Sequence, residues 1–170
     1  MTFAMRETLA EDAAFIRRLF CLPHVRAFLN TPSRQIIVAT LEDPNAESYV
    51  IEDAGDPVGN FVMSTRGFLV DLQTLAVTKQ RCGAGTFALR WGLRRAFDEL
   101  QAHRVFLEVR EDNVGTRRLC ERLGFSQEGV YRDGFRDERT GEFRNVVPYG
   151  MLERDYGAIN SKRATGLILQ

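Results

Sequence analysis

The sequence predicts an α/β (α+β) domain: a mixed, mostly antiparallel central sheet with helices on both faces. Three observations predict it. Residues 48–77 hold three β-branched and aromatic runs broken only by short Asp/Gly/Pro turns, which reads as an antiparallel meander. Helical periodicity appears before that block and again after it. A single strand–helix–strand passage, about 68–77, 85–100 and 105–110, demands one crossover and hence one parallel pair.

The elements follow in order. Thr2 to Arg6 reads as a short strand. Leu9 to Phe20 reads as a helix, because Ala13, Ile16, Leu19 and Phe20 share a face and Pro23 then interrupts. A second helix is expected over about 32–41, with Thr31 as N-cap, Pro32 in the first turn and Asp43-Pro44-Asn45 as the closing turn. Strands are expected over 48–52, 58–65 and 68–77. The helix from Gly85 to Leu100 carries the stripe Leu89, Leu93, Ala96, Phe97 and Leu100. A strand over 105–110 leads to a helix from Asn113 to Leu123, stopped by Gly124. A final hairpin spans about 127–136 and 143–153. After Tyr156 the residues are small, polar and unpatterned, so the expected organisation is one domain over 1–156 and a poorly packed tail over 157–170.

Composition narrows the function classes. With 170 residues, 44% of them apolar, the chain suits one globular domain. Twenty-three basic residues balance 23 acidic ones, which argues against a bulk nucleic-acid binder while leaving room for a local anion site. Three scattered cysteines and two histidines fit neither a disulfide framework nor a zinc site, so no metal is expected. No long apolar run suggests a leader or a membrane partner, and the expected compartment is the reducing cytoplasm.

The sharpest signal is Val77-Thr78-Lys79-Gln80-Arg81-Cys82-Gly83-Ala84-Gly85-Thr86, between a strand and a long helix. The first turn of a helix leaves amides without intrahelical partners, beside roughly half a positive charge from the dipole. Glycines at 83 and 85 let an anion reach that backbone, and Lys79 and Arg81 add charge to the rim. Three readings fit the loop itself: a tight strand-to-helix turn; a dinucleotide fingerprint, Gly83-x-Gly85-x-x-Ala88, with Glu108 or Glu111 as the ribose acid; or an anion cradle of another family. The Gly-Lys-Ser/Thr ending of a nucleoside-triphosphatase loop is missing.

Gln80-x-x-Gly83-x-Gly85 after a strand resembles the Gln/Arg-x-x-Gly-x-Gly/Ala signature of the GCN5-related N-acetyltransferases (GNAT). Asn113-Val-Gly-Thr-Arg-Arg-Leu119-Cys120-Glu-Arg-Leu-Gly124-Phe125 resembles their second motif, an Asn-led helix ending in Leu-Gly-Phe. The last strand, Arg144-Asn145 to Tyr149-Gly150-Met151-Leu152, looks like the close of the ribosomal-protein and polyamine acetyltransferase branches. The resemblance covers residues 2 to about 156.

It implies the acyl-CoA N-acyltransferase fold, with acetyl-CoA as co-substrate. The acceptor would be a primary amine, on a small molecule or at a protein N-terminus, and homodimers occur among related proteins. The strands before and after the central helix would part around the pantetheine arm. By match of position, Leu75, Ala76 and Val77 would hold that arm, a backbone amide near Leu75 would meet the thioester oxygen, and Gln80, Arg81, Cys82, Gly83, Ala84, Gly85 and Thr86 would hold the pyrophosphate. Asn113 would bond to the arm from the other side, or simply cap its helix. Asp71, with Gln73 two residues on, stands where the family often places its catalytic glutamate and is the candidate base. Cys120 stands where the family usually places a tyrosine acid; it is either that acid or a buried thiol on the helix face. The lost tyrosine keeps a non-catalytic acyl-CoA-binding module as the rival reading, with a small dinucleotide-binding domain as a third.

Overall fold

In the computed structural model, which describes residues 2–164 (side chains of 2–161), eight strands form one sheet. Its order is β1 (Phe3–Glu7), β2 (Ala46–Asp53), β3 (Asp56–Arg66), β4 (Leu69–Val77), β5 (Arg104–Arg110), β8 (Phe143–Leu152) and β6 (Ser126–Gln127), while β7 (Tyr131–Arg136) pairs with β8. Every pairing is antiparallel except β4 with β5. The helices are α1 (Ala13–Phe20), α2 (Pro23–Arg26), α3 (Arg34–Glu42), α4 (Ala84–Arg94), α5 (Val114–Leu123) and α6 (Glu153–Ala164).

Strand alternation sorts the side chains onto two faces. On one face Phe61, Met63, Val70, Leu72, Val105, Leu107, Val109, Val147 and Tyr149 join α4 and α5 in the main core. On the other, Ala76 meets a second core built from Ile16, Leu19, Phe20, Val25 and Ile37 of α1, α2 and α3. The odd-numbered side chain of Asp71 and the even-numbered ones of Phe106, Glu108 and Arg110 therefore lie on the face opposite α4.

Several sequence expectations are corrected. The cap of α3 is Ser33, whose Oγ accepts the Ile36 amide at 3.2 Å, and Thr31 and Pro32 precede the helix. Pro23 does not merely end α1; it occupies the first turn of α2, where its missing N–H costs nothing. The long helix changes pitch, passing into a π-helical turn over Arg95–Glu99. The strand expected over 127–136 is two pieces, β6 and β7. The chain after Tyr156 is not a loose tail: α6 carries Tyr156 and Ile159 onto the main core, and Tyr156 stacks on Phe97 at 4.7 Å between ring centroids. Two apolar residues three apart were too sparse a pattern to read as a helix. Residues 165–170 of the expected tail lie outside the described residues. No helix among the described residues is long and apolar enough to cross a membrane.

One contact makes the packing of α4 on the sheet measurable. A Cβ placed on Gly92 would stand 2.7 Å from the ring of Phe61, which is itself fully buried. Gly92→Ala should therefore cost about 1–3 kcal/mol through overpacking, outweighing the intrinsic helix preference for alanine of about 1 kcal/mol, and thermal unfolding would show it as a lowered Tm.

Candidate active site

The site begins with a fault in strand pairing. β4 pairs with β5 only at Leu69, Val70 and Asp71, opposite Arg104, Val105 and Phe106. Beyond Asp71 the two strands part. On its other side β4 meets β3 with Ser64 opposite Asp71 and Val62 opposite Thr74, so Met63 alone faces both Leu72 and Gln73. That is a β-bulge, which bends its strand and increases its twist. It falls one residue past the last β4–β5 pair, and bending there carries β4 away from β5. β5 cannot follow, because all seven of its residues are paired with β8.

The parting leaves one edge of β4 open. Thr78 donates its amide to the Val58 carbonyl at 2.8 Å, so the alternate residues Ala76 and Thr74 also bond toward β3. The backbone groups of Leu75 and Val77 consequently point into the cleft. The carbonyl of Val77 is met there by Nε2 of His24, 2.9 Å away. This corrects the expectation for Ala76: its backbone belongs to the β3 ladder and its side chain to the second core, so of the three residues only Leu75 and Val77 face the cleft.

At the far end of β4 the glycine loop turns into α4. Arg81 (φ 59°) and Gly83 (φ 95°) both adopt left-handed backbone, and Gly83 is the residue before the first helical turn. Among the described residues no acceptor meets the amides of Gly83, Ala84, Gly85 or Thr86. Ala84, expected among the pyrophosphate-binding residues, is fully buried, backbone included, and so lies behind the cleft surface. A Cβ on Gly85 would lie 3.7 Å from Leu75 and 3.8 Å from Leu119, which puts this glycine where β4 faces α5. Gln80 is exposed and Cys82 half-buried, its thiol turned inward to donate to the Lys79 carbonyl at 3.1 Å. Open convergent amides, a left-handed turn and a cationic rim fit a diphosphate.

The sequence missed one cation of this rim. Arg122, near the end of α5, donates to the Thr86 hydroxyl at 3.2 Å and so stands against the first turn of α4. Asn113 caps α5, its side-chain oxygen accepting the Thr116 amide at 3.2 Å. Its amide nitrogen is left for a ligand.

Asp71 lies where the strands divide, on the face opposite α4. Burial, and then the nearby negative charge of Glu108, push its carboxyl up to about 6; Arg66 and a hydrogen bond from Gln73 pull the other way. Gln73 also donates to the buried Ser64 hydroxyl at 3.0 Å. Glu108 is exposed on the same face, so the residue weighed as a ribose acid proves to be a neighbour of the candidate base. Its sequence signal was only an acid at an outward position of a strand whose partner strand was unknown.

Of the two readings of Cys120, burial favours the packed thiol over the acid. The residue is fully buried in the main core, and burial pushes its thiol up to about 12, with the Glu121 charge adding to the shift. A thiol with no accessible surface packs the helix; it is not placed to hand a proton to a leaving group. The dinucleotide reading loses its setting too, since a short, single parallel pairing is not the extended parallel sheet that fingerprint opens. Among the described residues no group of three or more His, Cys, Asp or Glu side chains is placed to hold a metal.

Comparison with known proteins agrees with this architecture. Over 82 residues the chain is 34% identical to a Bacillus subtilis (strain 168) protein named "Putative ribosomal N-acetyltransferase YdaF"; that stretch is 47% of this chain and 44% of the relative, so the chain spans less than half of that relative's length. The fold matches a "putative acetyltransferase" from T. thermophilus at a TM-score of 0.80 and 23% identity, over 99% of this chain and 95% of that one. It also matches the spermidine N-acetyltransferase of Vibrio cholerae, solved in complex with CoA and spermine, at a TM-score of 0.78 and 18% identity, over 91% of this chain and 97% of that one. The model of the acetyltransferase (GNAT) family matches residues 11–125, from α1 through the glycine loop to the Gly124-Phe125 end of α5, and the chain belongs to that family.

Proposed function

We propose that this protein is an acetyl-CoA-dependent N-acetyltransferase whose acceptor is a primary amine approaching from the Asp71–Glu108 face of the sheet. The observation that carries the reading is the edge of β4, open except where His24 meets the Val77 carbonyl, which leads from a raised carboxyl at Asp71 to the unpaired amides of Gly83, Gly85 and Thr86. The pyrophosphate of acetyl-CoA rests on those amides, with Lys79, Arg81 and Arg122 neutralising its charge. The pantetheine arm extends along Leu75 and Val77 as an added strand would, and the thioester lies near the point where β4 and β5 divide. The Leu75 amide donates to the oxygen that becomes negative as the carbonyl is attacked.

The amine must reach that carbonyl neutral. For an aliphatic amine the proton costs about 4–5 kcal/mol at pH 7, and for an α-amino group about 1 kcal/mol. Asp71 receives it: a carboxyl near 6 is ionised at neutral pH yet far more basic than an ordinary aspartate. Glu108 holds the approaching cation and, by its charge, keeps Asp71 basic. The N–C bond then forms, the C–S bond breaks, and the nitrogen gives up its surplus proton to water as the departing CoA thiolate takes one up from water. Thiolate is a good enough leaving group that the step does without the tyrosine replaced by Cys120.

The Vibrio cholerae relative binds spermine, and the Bacillus subtilis relative's name points to a ribosomal protein. Both acceptors are primary amines, and a two-carboxylate floor suits either. A second reading, binding of acyl-CoA without turnover, draws on the loss of the tyrosine. Release of free CoA thiol against a panel of polyamines, amino sugars and N-terminal peptides separates the two; release with no amine would leave only the binder.

Gly83 is a poor position for testing the cradle, because its φ of 95° strains any side chain. Gly85 has room for a Cβ, so Gly85→Asp should weaken CoA binding at least tenfold in titration calorimetry while Tm moves little. Asp71→Asn should lower kcat/KM for an aliphatic amine by 10²–10³-fold, and less for an α-amino acceptor. In the unsubstituted protein kcat/KM should rise with pH through an acid limb near 6, and Glu108→Gln should move that limb lower. The sign for stability is the reverse. The folded state binds the Asp71 proton more tightly than the unfolded chain, so this residue's contribution falls as pH climbs from about 4 to 6, and Asp71→Asn should unfold at a higher Tm than wild type at pH 8. Cys120→Ala should cost about 1–2 kcal/mol of stability with kcat within about threefold of wild type; a large fall in kcat would return the acid role to the thiol.

A further inference from the structure

Arg110 ends β5 on the same face as Glu108, two residues and about 7 Å further along the strand. Its side chain is only 7% exposed, which is rare for an arginine and demands partners. It has them on three separate segments. One nitrogen donates to the Ala27 carbonyl at the end of α2, at 2.7 Å. The guanidinium bonds to both oxygens of Asp112 at 3.1 and 2.6 Å, and lies 3.9 Å from the buried Asp137 beyond β7. The guanidinium also lies over two aromatic rings, Phe28 at 5.4 Å and Phe135 at 5.2 Å. A few residues on, Asn30 makes a second tie between the same two walls. Its amide nitrogen donates to the Arg136 carbonyl at 3.1 Å, and its oxygen accepts the Glu138 amide at 3.2 Å.

Two stretches distant in sequence, the α2–α3 connection and the β7–β8 hairpin, are thus fastened across the open side of the sheet. Neither stretch belongs to β4 or β5, the strands that bound the cleft. Arg110 and Arg139, the latter 3.6 Å from Asp137, are together answered by the carboxylates of Asp112 and Asp137, so the fastening carries no net charge toward a cation heading for Asp71 and Glu108. We propose that Arg110 and Asn30 form a clasp that fixes the width of the acceptor entrance and so selects slim, unbranched primary amines over bulky ones. Arg110 and Asn30 act as positioning residues; neither reaches the reacting atoms. The inference rests on the acceptor approaching from the Asp71–Glu108 face.

Asn30→Ala is the discriminating variant, because Asn30 is partly exposed and its removal leaves no buried charge behind. Two readouts apply. Amide hydrogen exchange should accelerate at least tenfold in peptides spanning 27–33 and 136–142 and stay unchanged in those spanning β4 and α4. The ratio of kcat/KM for an unbranched to an α-branched primary amine should fall at least fivefold, through acceptor KM, with KM for acetyl-CoA within twofold of wild type. Arg110→Lys, which keeps the charge and loses the planar fork, should shift the same ratio in the same direction along with a lower Tm. A purely structural role would lower Tm and leave the ratio untouched. Unchanged exchange in both walls, or faster exchange with an unchanged amine ratio, would overturn the clasp. Absence of transfer to every amine in the wild type would instead defeat the acceptor reading, and the exchange data would still report whether the two walls are tied.

Discussion

The structure turns on an unmet obligation of the backbone. A strand inside a sheet must satisfy the N–H and C=O groups on both of its edges, and beyond Asp71 β4 has a strand partner on only one, with His24 meeting the Val77 carbonyl on the other. The bulge at Leu72–Gln73 creates the condition, and the full pairing of β5 with β8 preserves it, since β5 has no freedom to swing back. An edge left open between two strands of the same sheet is narrow and walled by packed side chains. It is therefore protected from the strand-to-strand aggregation that outer edges invite, while remaining able to pair with an extended ligand. What the chain gives up in ladder bonds becomes the means of recognition.

Electrostatics follows from the same geometry. Because the strands part at Asp71, the carboxyl is neither exposed to bulk water nor sealed in the core, and its neighbour on β5 is another acid. Half-burial and a like charge raise its affinity for a proton without preventing ionisation at neutral pH. At the other end of β4 the polarity reverses. Arginines 81 and 122 and Lys79 surround the start of α4, and no acidic residue occupies its first turn. The two ends of the cleft therefore favour groups of opposite charge, and a ligand bearing one charge is directed to one end.

Much of this was legible in the chain. The strand and helix periods, the glycine loop and the Asn113-to-Phe125 segment give the order of elements and the place of the anion cradle, because each depends on neighbours close in sequence. What depends on pairing partners was not. The bulge leaves no local mark: Leu72-Gln73 reads like any other alternation until Met63 is seen to face both. His24 meeting the Val77 carbonyl, Arg122 meeting Thr86 and Glu108 beside Asp71 join segments between 36 and 53 residues apart, and no spacing rule reaches that far. Cys120 was readable by position and ambiguous by chemistry, and burial decided it. The last helix was missed because its apolar side is two residues wide.

Only three residue pairs join β1–β4 to β5–β8 along the sheet, leaving the side chains of α4 and α5 to carry most of the connection between the halves. A guest lying in the gap would act as a stitch across that seam, present in the folded chain and meaningless to the unfolded one. Occupancy and resistance to denaturation are then linked by mass action: a free concentration one hundred times the dissociation constant adds about 2.7 kcal/mol. In a cell, the protein's persistence would then track the supply of whatever molecule fills the gap.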